Sequence, residues 1–443
     1  MEFTTDEIVE STGGSVIGPA AVAHGVTIDS RSVTGGELFV PIVAERDGHD
    51  FVGSATAAGA TVYLTARADL DLDTAGATGV LVENTLAGLQ SIGRLARRRV
   101  TGDVVGVTGS VGKTSTKDLA VAVLTTERRA HGSYRSFNNE MGVPLTLANA
   151  PEETEVVVVE MGARGRFHIS ELCDVAAPTV GVVTSVGLAH TELFGSIEEV
   201  ELAKGELVEA LAPSGTAVLN IDDERVRAMA SRTDAAVLTY GHRSRHLAPD
   251  LVAEEVEIGA DLAPSFVLHS PWGSVEVRLA VRGMHHVGNA LAAAAVGLAC
   301  GVSLDGVAAG LGRSELSPHR MDLRRLDSGA TVLNDAYNAN PLSMEAALRS
   351  LVAIPGRRHV AVLGQMAELG PEHHRAHVEI GELAATLGVE VIAVDVAEYG
   401  GHLVADLDAA ASELGTPGVG DVILLKGSRV VGLERLAERL GAC

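Results

Sequence analysis

Two rhythms of apolar residues run through the chain. Short, mostly apolar stretches at 104–108, 156–159, 178–186 and 216–220 predict strands, the unbroken valine run at 156–159 a buried one. Between them, apolar positions recur at helical spacing. Leu89, Ile92 and Leu95 mark a helix over 86–99 that ends in Arg97-Arg98-Arg99, and 197–211 predicts another. An alanine-rich helix opens after Gly283 and runs to about residue 299. Residues 231–282 are β-rich, with alternation at 251–258 and 274–279, and predict an accessory sheet of the middle domain.

The rhythm changes at the two ends. Up to about residue 98 the segments are short and broken by Gly13-Gly14 and Gly35-Gly36, with a strand over 38–43, as in a small mixed domain. Beyond Gly312, strands near 331–334, 359–363, 389–394 and 421–425 alternate regularly with helices, which predicts a doubly wound sheet. A length of 443 residues accommodates three domains. The expected divisions are 1–99, 100–312 and 313–443.

Composition sharpens the class. Hydrophobic residues make up 46% but aromatics only 3%, so the cores are built from Ala, Val, Leu and Ile, as suits α/β layers. A formal charge of −24, without any run of basic residues beyond a helix end, argues against nucleic acid or anionic membrane as a partner. Cys173, Cys300 and Cys443 are odd in number and far apart, as expected in a reducing compartment. No apolar run reaches the ~18 residues of a membrane span, and the acidic start is unlike an export signal, so a cytoplasmic protein is expected.

The strand at 104–108 leads into Thr108-Gly109-Ser110-Val111-Gly112-Lys113-Thr114-Ser115, followed at once by a helix. Glycines at such a turn let successive N–H groups point inward beside the positive end of the helix dipole, which makes a phosphate cradle. Lys113 supplies charge for outer phosphates, and the Thr114 hydroxyl a magnesium ligand. Strict P-loop spacing asks for glycine at 107, where this chain has Val107; the shorter TGxxGK[ST] form remains.

Other polar clusters sit where a parallel sheet gathers ligands. Glu160 ends the 156–159 run, either to complete a magnesium site with Thr114 or as a solvated strand-end acid. Asp29-Ser30-Arg31 offers a pyrophosphate grip or an ordinary turn. Asn138 and Asn139 are turn or capping residues on their own merits, His190 a lone histidine, and Lys204 a surface charge by default. Asn289 offers an amide to an adenine edge or to water. Asp335 to Pro341 and Lys426 to Arg429 end the first and last strands of the C-terminal sheet.

In this order along nearly the whole chain, these motifs resemble the Mur ligases. The resemblance rests on Asp29-Ser30-Arg31, the cradle, residues 137–144, Glu160-Met161-Gly162, 189–196, Lys204-Gly205-Glu206, 335–341 and 426–429. It implies a three-domain α/β architecture: a small mixed N-terminal domain holding a UDP-sugar, a central P-loop ATPase, and a C-terminal Rossmann-like domain that closes over the site. It also implies an ATP-dependent ligation in peptidoglycan precursor synthesis, through an acyl phosphate, with UDP-N-acetylmuramoyl-tripeptide as acid and D-alanyl-D-alanine as amine. Tyr337-Asn338-Ala339-Asn340-Pro341 and the absence of Asp-Asn-Pro-Arg speak against the sister ligase that adds the third peptide residue.

By that resemblance Lys113, Glu160, His190, Lys204 and Arg320 are catalytic. Thr114 and Glu160 hold one magnesium ion, His190 and Lys204 a second, with Lys204 carbamylated. Asn289 contacts adenine, Asp335 ribose and Arg320 the phosphates. Ser30, Arg31, Asn138 and Asn139 hold the UDP-muramoyl part, and Tyr337, Asn338, Asn340 and Arg429 the peptide or dipeptide. A monomer is expected. Ser136, Ser185, His286 and Gln365 depart from the family pattern, each still carrying a hydrogen-bonding side chain. The rival readings are a ligase of the same superfamily with another acid or amine, and a nucleotide-binding protein without ligation.

Overall fold

The structure, a computed structural model, describes residues 1–68, 74, 76–134, 136–187 and 194–442. Its centre is a nine-stranded sheet. From one edge run Ala130–Gly132, Val156–Glu160, Asp103–Thr108, Val180–Val183, Thr216–Asn220, Ala236–Gly241 and Leu251–Ile258, all parallel; Pro264–Ser270 and Gly273–Arg278 continue it antiparallel. The strands expected in an accessory sheet of the middle domain are a continuation of its central sheet. Parallel pairing of Tyr240 with Leu251 and Gly241 with Val252 makes the join.

Val104, Val105 and Val107 are fully buried, as are Val157, Val158 and Val159 beside them, because helices cover both faces. Each such side chain contributes about 1.5–3 kcal/mol on burial. The helices Lys113–Leu124 and His286–Ala299 pack on one face with Leu119, Val123, Leu291 and Val296 in a common core. On the other face a single core joins Phe3, Leu38 and Leu89 to Val143, Leu147 and Val157, so the N-terminal segment rests directly on the central sheet. Asn149 clasps that seam: its Oδ1 accepts from Val26 N at 2.9 Å and its Nδ2 donates to Val26 O at 2.8 Å.

The N-terminal sheet has five strands in the order Ser15–Ile17, Thr78–Leu81, Val62–Thr65, Leu38–Phe39, Val26–Thr27. The strand expected over 38–43 stops at Phe39. Beyond it Val43 bridges to Asp47 and lies 63% exposed, so the chain has turned out of the sheet.

The C-terminal sheet has six strands. Asp322–Arg325 is antiparallel to Thr331–Asn334; Asp421–Lys426, Arg358–Leu363, Glu390–Val394 and His402–Val404 follow in parallel, with cores on both faces. The carboxyl ends of this sheet and of the central one face a shared cavity of about 730 Å³, which residues from both sheets line. No helix among the described residues is long and apolar enough to cross a membrane.

Candidate active site

Two glycines shape the cradle, with φ of 147° at Gly109 and 86° at Gly112. Neither position admits a side chain. A Cβ on Gly109 would lie 1.9 Å from Thr184 Oγ1, and one on Gly112 would lie 2.5 Å from Asn289 Oδ1. Val107, where strict spacing asks for glycine, is simply core. A second loop braces the cradle: Thr184 Oγ1 donates to Val111 O at 2.6 Å, Ser185 Oγ accepts from Val111 N at 3.0 Å, and Ser110 Oγ accepts from Gly187 N at 2.9 Å.

The helix then starts at Lys113 without a side-chain cap, leaving first-turn amides to face the cavity. Lys113 Nζ is folded back onto Gly109 O at 2.7 Å. Burial pushes its pKa down, against the opposing pull of Glu160, and the Arg320 charge adds to the lowering.

A carboxylate stands at the end of the adjacent strand. Thr114 Oγ1 donates to Glu160 Oε2 at 2.7 Å, and Asn138 Nδ2 donates to Glu160 Oε1 at 2.8 Å, so Glu160, only 1% exposed, is held in place from both sides. Arg320 reaches in from the C-terminal side, donating from Nη2 to Thr114 Oγ1 at 2.9 Å. Its guanidinium lies 4.1 Å from the centre of the Tyr337 ring, and the Tyr337 hydroxyl contacts Ser136 Oγ. Lys113, Thr114, Glu160, Arg320, Asn138 and Tyr337 are thus brought together.

The chain has four lysines, at 113, 117, 204 and 426. Lys117, Lys204 and Lys426 are buried. Lys117 pairs with Asp118 at 2.5 Å and Lys426 with Asp335 at 2.5 Å. Lys204, on the helix Ile197–Glu209, lines the cavity without a carboxylate partner among the described residues. Burial first, and the Lys113 charge second, hold its pKa well below the usual lysine value. His190, expected beside it, lies outside the described residues. Among the described residues no three His, Cys, Asp or Glu side chains form a metal cluster. Glu160 and Thr114 nevertheless present hard oxygen atoms at a phosphate cradle, the donor set that magnesium takes when phosphates and water complete its shell.

On the C-terminal side Asp335 accepts from Lys426 Nζ and, at 3.1 Å, from Met321 N. Lys426 Nζ also donates to Asn338 O at 2.9 Å. Asn340 lines the cavity while capping the helix Pro341–Ala353 in a reciprocal pair with Ser343. Asn139, also lining the cavity, accepts from Met141 N and Gly142 N and holds its own turn. Asn289 Oδ1 accepts from Thr116 Oγ1 at 3.4 Å. Gln365 places its carbonyl under Ser428 N at 2.9 Å. Arg429 is exposed on the turn that follows.

Ser30 and Arg31 stand apart from the residues lining this cavity. They form a short turn in which Arg31 binds Asp29 at 2.7 Å with its side chain 88% exposed. Lys426, part of a strand-end polar cluster in the sequence, lines the cavity, and so do Thr184, Asp222 and His285, to which the sequence assigns no role. Lys426 carried one signal, as the lysine of a Lys-Gly-Ser-Arg strand end; the others carried none.

Signatures of three domains match the chain: "Mur ligase family, catalytic domain" over 22–97, "Mur ligase middle domain" over 107–297, and "Mur ligase, glutamate ligase domain" over 319–429. A UDP-N-acetylmuramoyl-tripeptide–D-alanyl-D-alanine ligase from Mycobacterium tuberculosis is 39% identical, covering 100% of this chain and 98% of its own length. The protein of that name from Escherichia coli is 33% identical, with 100% of both covered. Among solved structures, MurF from Acinetobacter baumannii superposes with a TM-score of 0.89 at 27% identity over 99% of each chain. MurF from Thermotoga maritima, in complex with ADP, gives 0.82 at 29% identity over 94% of this chain and 97% of that one.

The chain belongs to the Mur ligase family and has its three-domain α/β architecture. It is an enzyme of the ligase class, and its full-length relatives carry the name of the ligase that uses D-alanyl-D-alanine.

Proposed function

We propose that the protein joins D-alanyl-D-alanine to UDP-N-acetylmuramoyl-tripeptide, converting ATP to ADP and phosphate. The observation that carries this reading is the bridge Arg320–Thr114–Glu160 across the cradle, which puts a cation, a hydroxyl and a carboxylate at one phosphate site. A carboxylate makes a poor acyl donor. In the first step a terminal carboxylate oxygen of the tripeptide bonds to the γ-phosphorus while the bond from that phosphorus to the β–γ bridging oxygen breaks, releasing ADP. In the second the dipeptide amine attacks the acyl carbon, the bond to the phosphate oxygen breaks, and the nitrogen gives up a proton as the amide forms.

Both steps crowd negative charge, and catalysis is mostly positioning plus electrostatic stabilisation. Lys113 leaves Gly109 O for the outer phosphates, and Arg320 neutralises the transferring group from the other side. Thr114 and Glu160 would hold one magnesium ion, and His190 with Lys204 a second. Magnesium supplies charge neutralisation between the phosphates and the attacking carboxylate.

Lys204 fits a ligand role only as an anion. Its lowered pKa favours the uncharged amine, the form that adds carbon dioxide, and a carbamate there would act as a carboxylate. Asn289 is assigned to adenine, Asp335 to ribose, Ser30, Arg31, Asn138 and Asn139 to the UDP-muramoyl part, and Tyr337, Asn338, Asn340 and Arg429 to the peptide or dipeptide. The same reading divides the chain at 99/100 and 312/313 and describes a cytoplasmic monomer.

The test is phosphate release from ATP and magnesium with UDP-muramoyl-tripeptide, with and without D-alanyl-D-alanine, following the nucleotide product by mass. Release that needs both substrates, with a product heavier by the dipeptide less water, is the expected result. Release with a different amine, or none with either tripeptide form, overturns the substrate assignment.

A further inference from the structure

The seam between the helix His286–Ala299 and the C-terminal segment holds two buried donors without acceptors: Nε2 of His286 and Nε of Arg320. His286 is 2% exposed, and both residues line the cavity beside the cradle. The other edge of the imidazole is fixed. Asn289 Nδ2 lies 3.1 Å from His286 Nδ1, and Asn289 Oδ1 accepts from Thr116 Oγ1, so the amide donates and Nδ1 accepts. Burial first, then the His285 ring and the Arg320 charge, push its pKa well below the usual histidine value, which favours the neutral ring. The single ring proton therefore sits on Nε2.

Two buried N–H groups at one cavity with nothing to receive them are an unfavourable arrangement on their own. At the His286 ring Arg320 is felt as a cation. The helix that begins at His286 adds the positive end of its dipole, and at Gly288, which also lines the cavity, the space a side chain would occupy is open. The missing partner is an anion with oxygen acceptors. Arg320 also binds Thr114 at the Glu160 end of the cradle, which puts that anion on the outer-phosphate side.

We propose that His286 is a phosphate-binding residue: its Nε2–H and the Nε–H of Arg320 together receive an oxygen of the outer phosphates, while Nδ1 holds Asn289 against the cradle. This rests on the nucleotide reading given above. One imidazole thereby joins phosphate recognition to the position of the amide assigned to the base.

The test is calorimetric binding of AMP and of a non-hydrolysable ATP analogue, with magnesium, to the full chain and its variants. In H286L the analogue binds about tenfold more weakly or worse, as loss of a hydrogen bond to a charged group implies, while AMP, which feels only the released Asn289, loses clearly less. H286Q, which keeps an N–H at similar reach, recovers most of the loss. Should H286L not melt as a folded protein, H286M serves as the donor-free variant. Unchanged analogue binding in the folded donor-free variant overturns the inference, and so does an equal loss for AMP, which would move the contact to the base or ribose. A wild-type chain that binds neither nucleotide overturns the nucleotide reading itself, and this inference with it.

Discussion

Arg320 Nη2 donates to the hydroxyl of Thr114, a residue 206 positions earlier, and that hydroxyl donates in turn to Glu160. One threonine oxygen thus ties the C-terminal segment to the phosphate cradle. R320A should lower the rate of phosphate release at saturating substrates by about 10²–10³-fold, the usual cost of removing a placed donor from a developing charge. R320K should recover little of it, because an ammonium cannot span Thr114 and a phosphate as a planar fork does.

Glu160 is held by Thr114 and Asn138 in the geometry of a ligand rather than of a base. E160Q keeps the shape and one acceptor but loses the charge. Its magnesium requirement, titrated by phosphate release, should rise at least about tenfold. An unchanged magnesium titration would remove Glu160 from the metal site.

Lys204 makes two separable predictions. Carbon dioxide adds to the neutral amine, so enzyme depleted of bicarbonate should lose activity and regain it on addition, with a ¹³C carbamate signal from labelled bicarbonate. Lowering the pH protonates the amine and should deepen the loss.

The second prediction concerns stability without bicarbonate. The folded-state pKa lies below the ordinary lysine value of 10.5, so the unfolded chain binds more protons between the two values, and stability rises with pH there. K204M removes that penalty. It should melt higher than the bicarbonate-free wild type near neutrality, and the gap should close as pH approaches 10.5.

Asn149 is the cleanest structural control. N149A strips two hydrogen bonds from Val26 at the seam and leaves its N–H and C=O without those partners. Denaturant melting should show a loss of about 1–3 kcal/mol. Turnover at saturating substrates should stay within about twofold, since mutations at distant sites act nearly independently.

The strand order needed pairings no local pattern reveals, yet most strands themselves were legible. Residues 216–220 and 331–334 form strands as read, because a buried parallel strand is a continuous apolar run. The strands at 251–258 and 273–278 were legible by alternation, which reports one-sided burial and not which sheet a strand joins. At the site the cradle was readable because its chemistry is local in sequence. Asp335 and Lys426 meet across 91 residues, and Arg320 and Thr114 across 206, so their contacts appear only in three dimensions. Asn340 was expected to touch ligand and turned out also to cap a helix, since amides serve both purposes.

The distribution of lysine has a practical consequence. Thirty of the 34 cationic Lys and Arg side chains are arginines; three of the four lysines line one cavity, and Lys117 lies on the cradle helix. Guanidinium groups do not acylate or form Schiff bases under mild conditions, so the side chains open to amine-directed reagents are confined to that region. Apart from the α-amine of Met1, an aldehyde or activated ester would find its amine targets only there, so nucleotide protection of lysine labelling would report occupancy of the cavity.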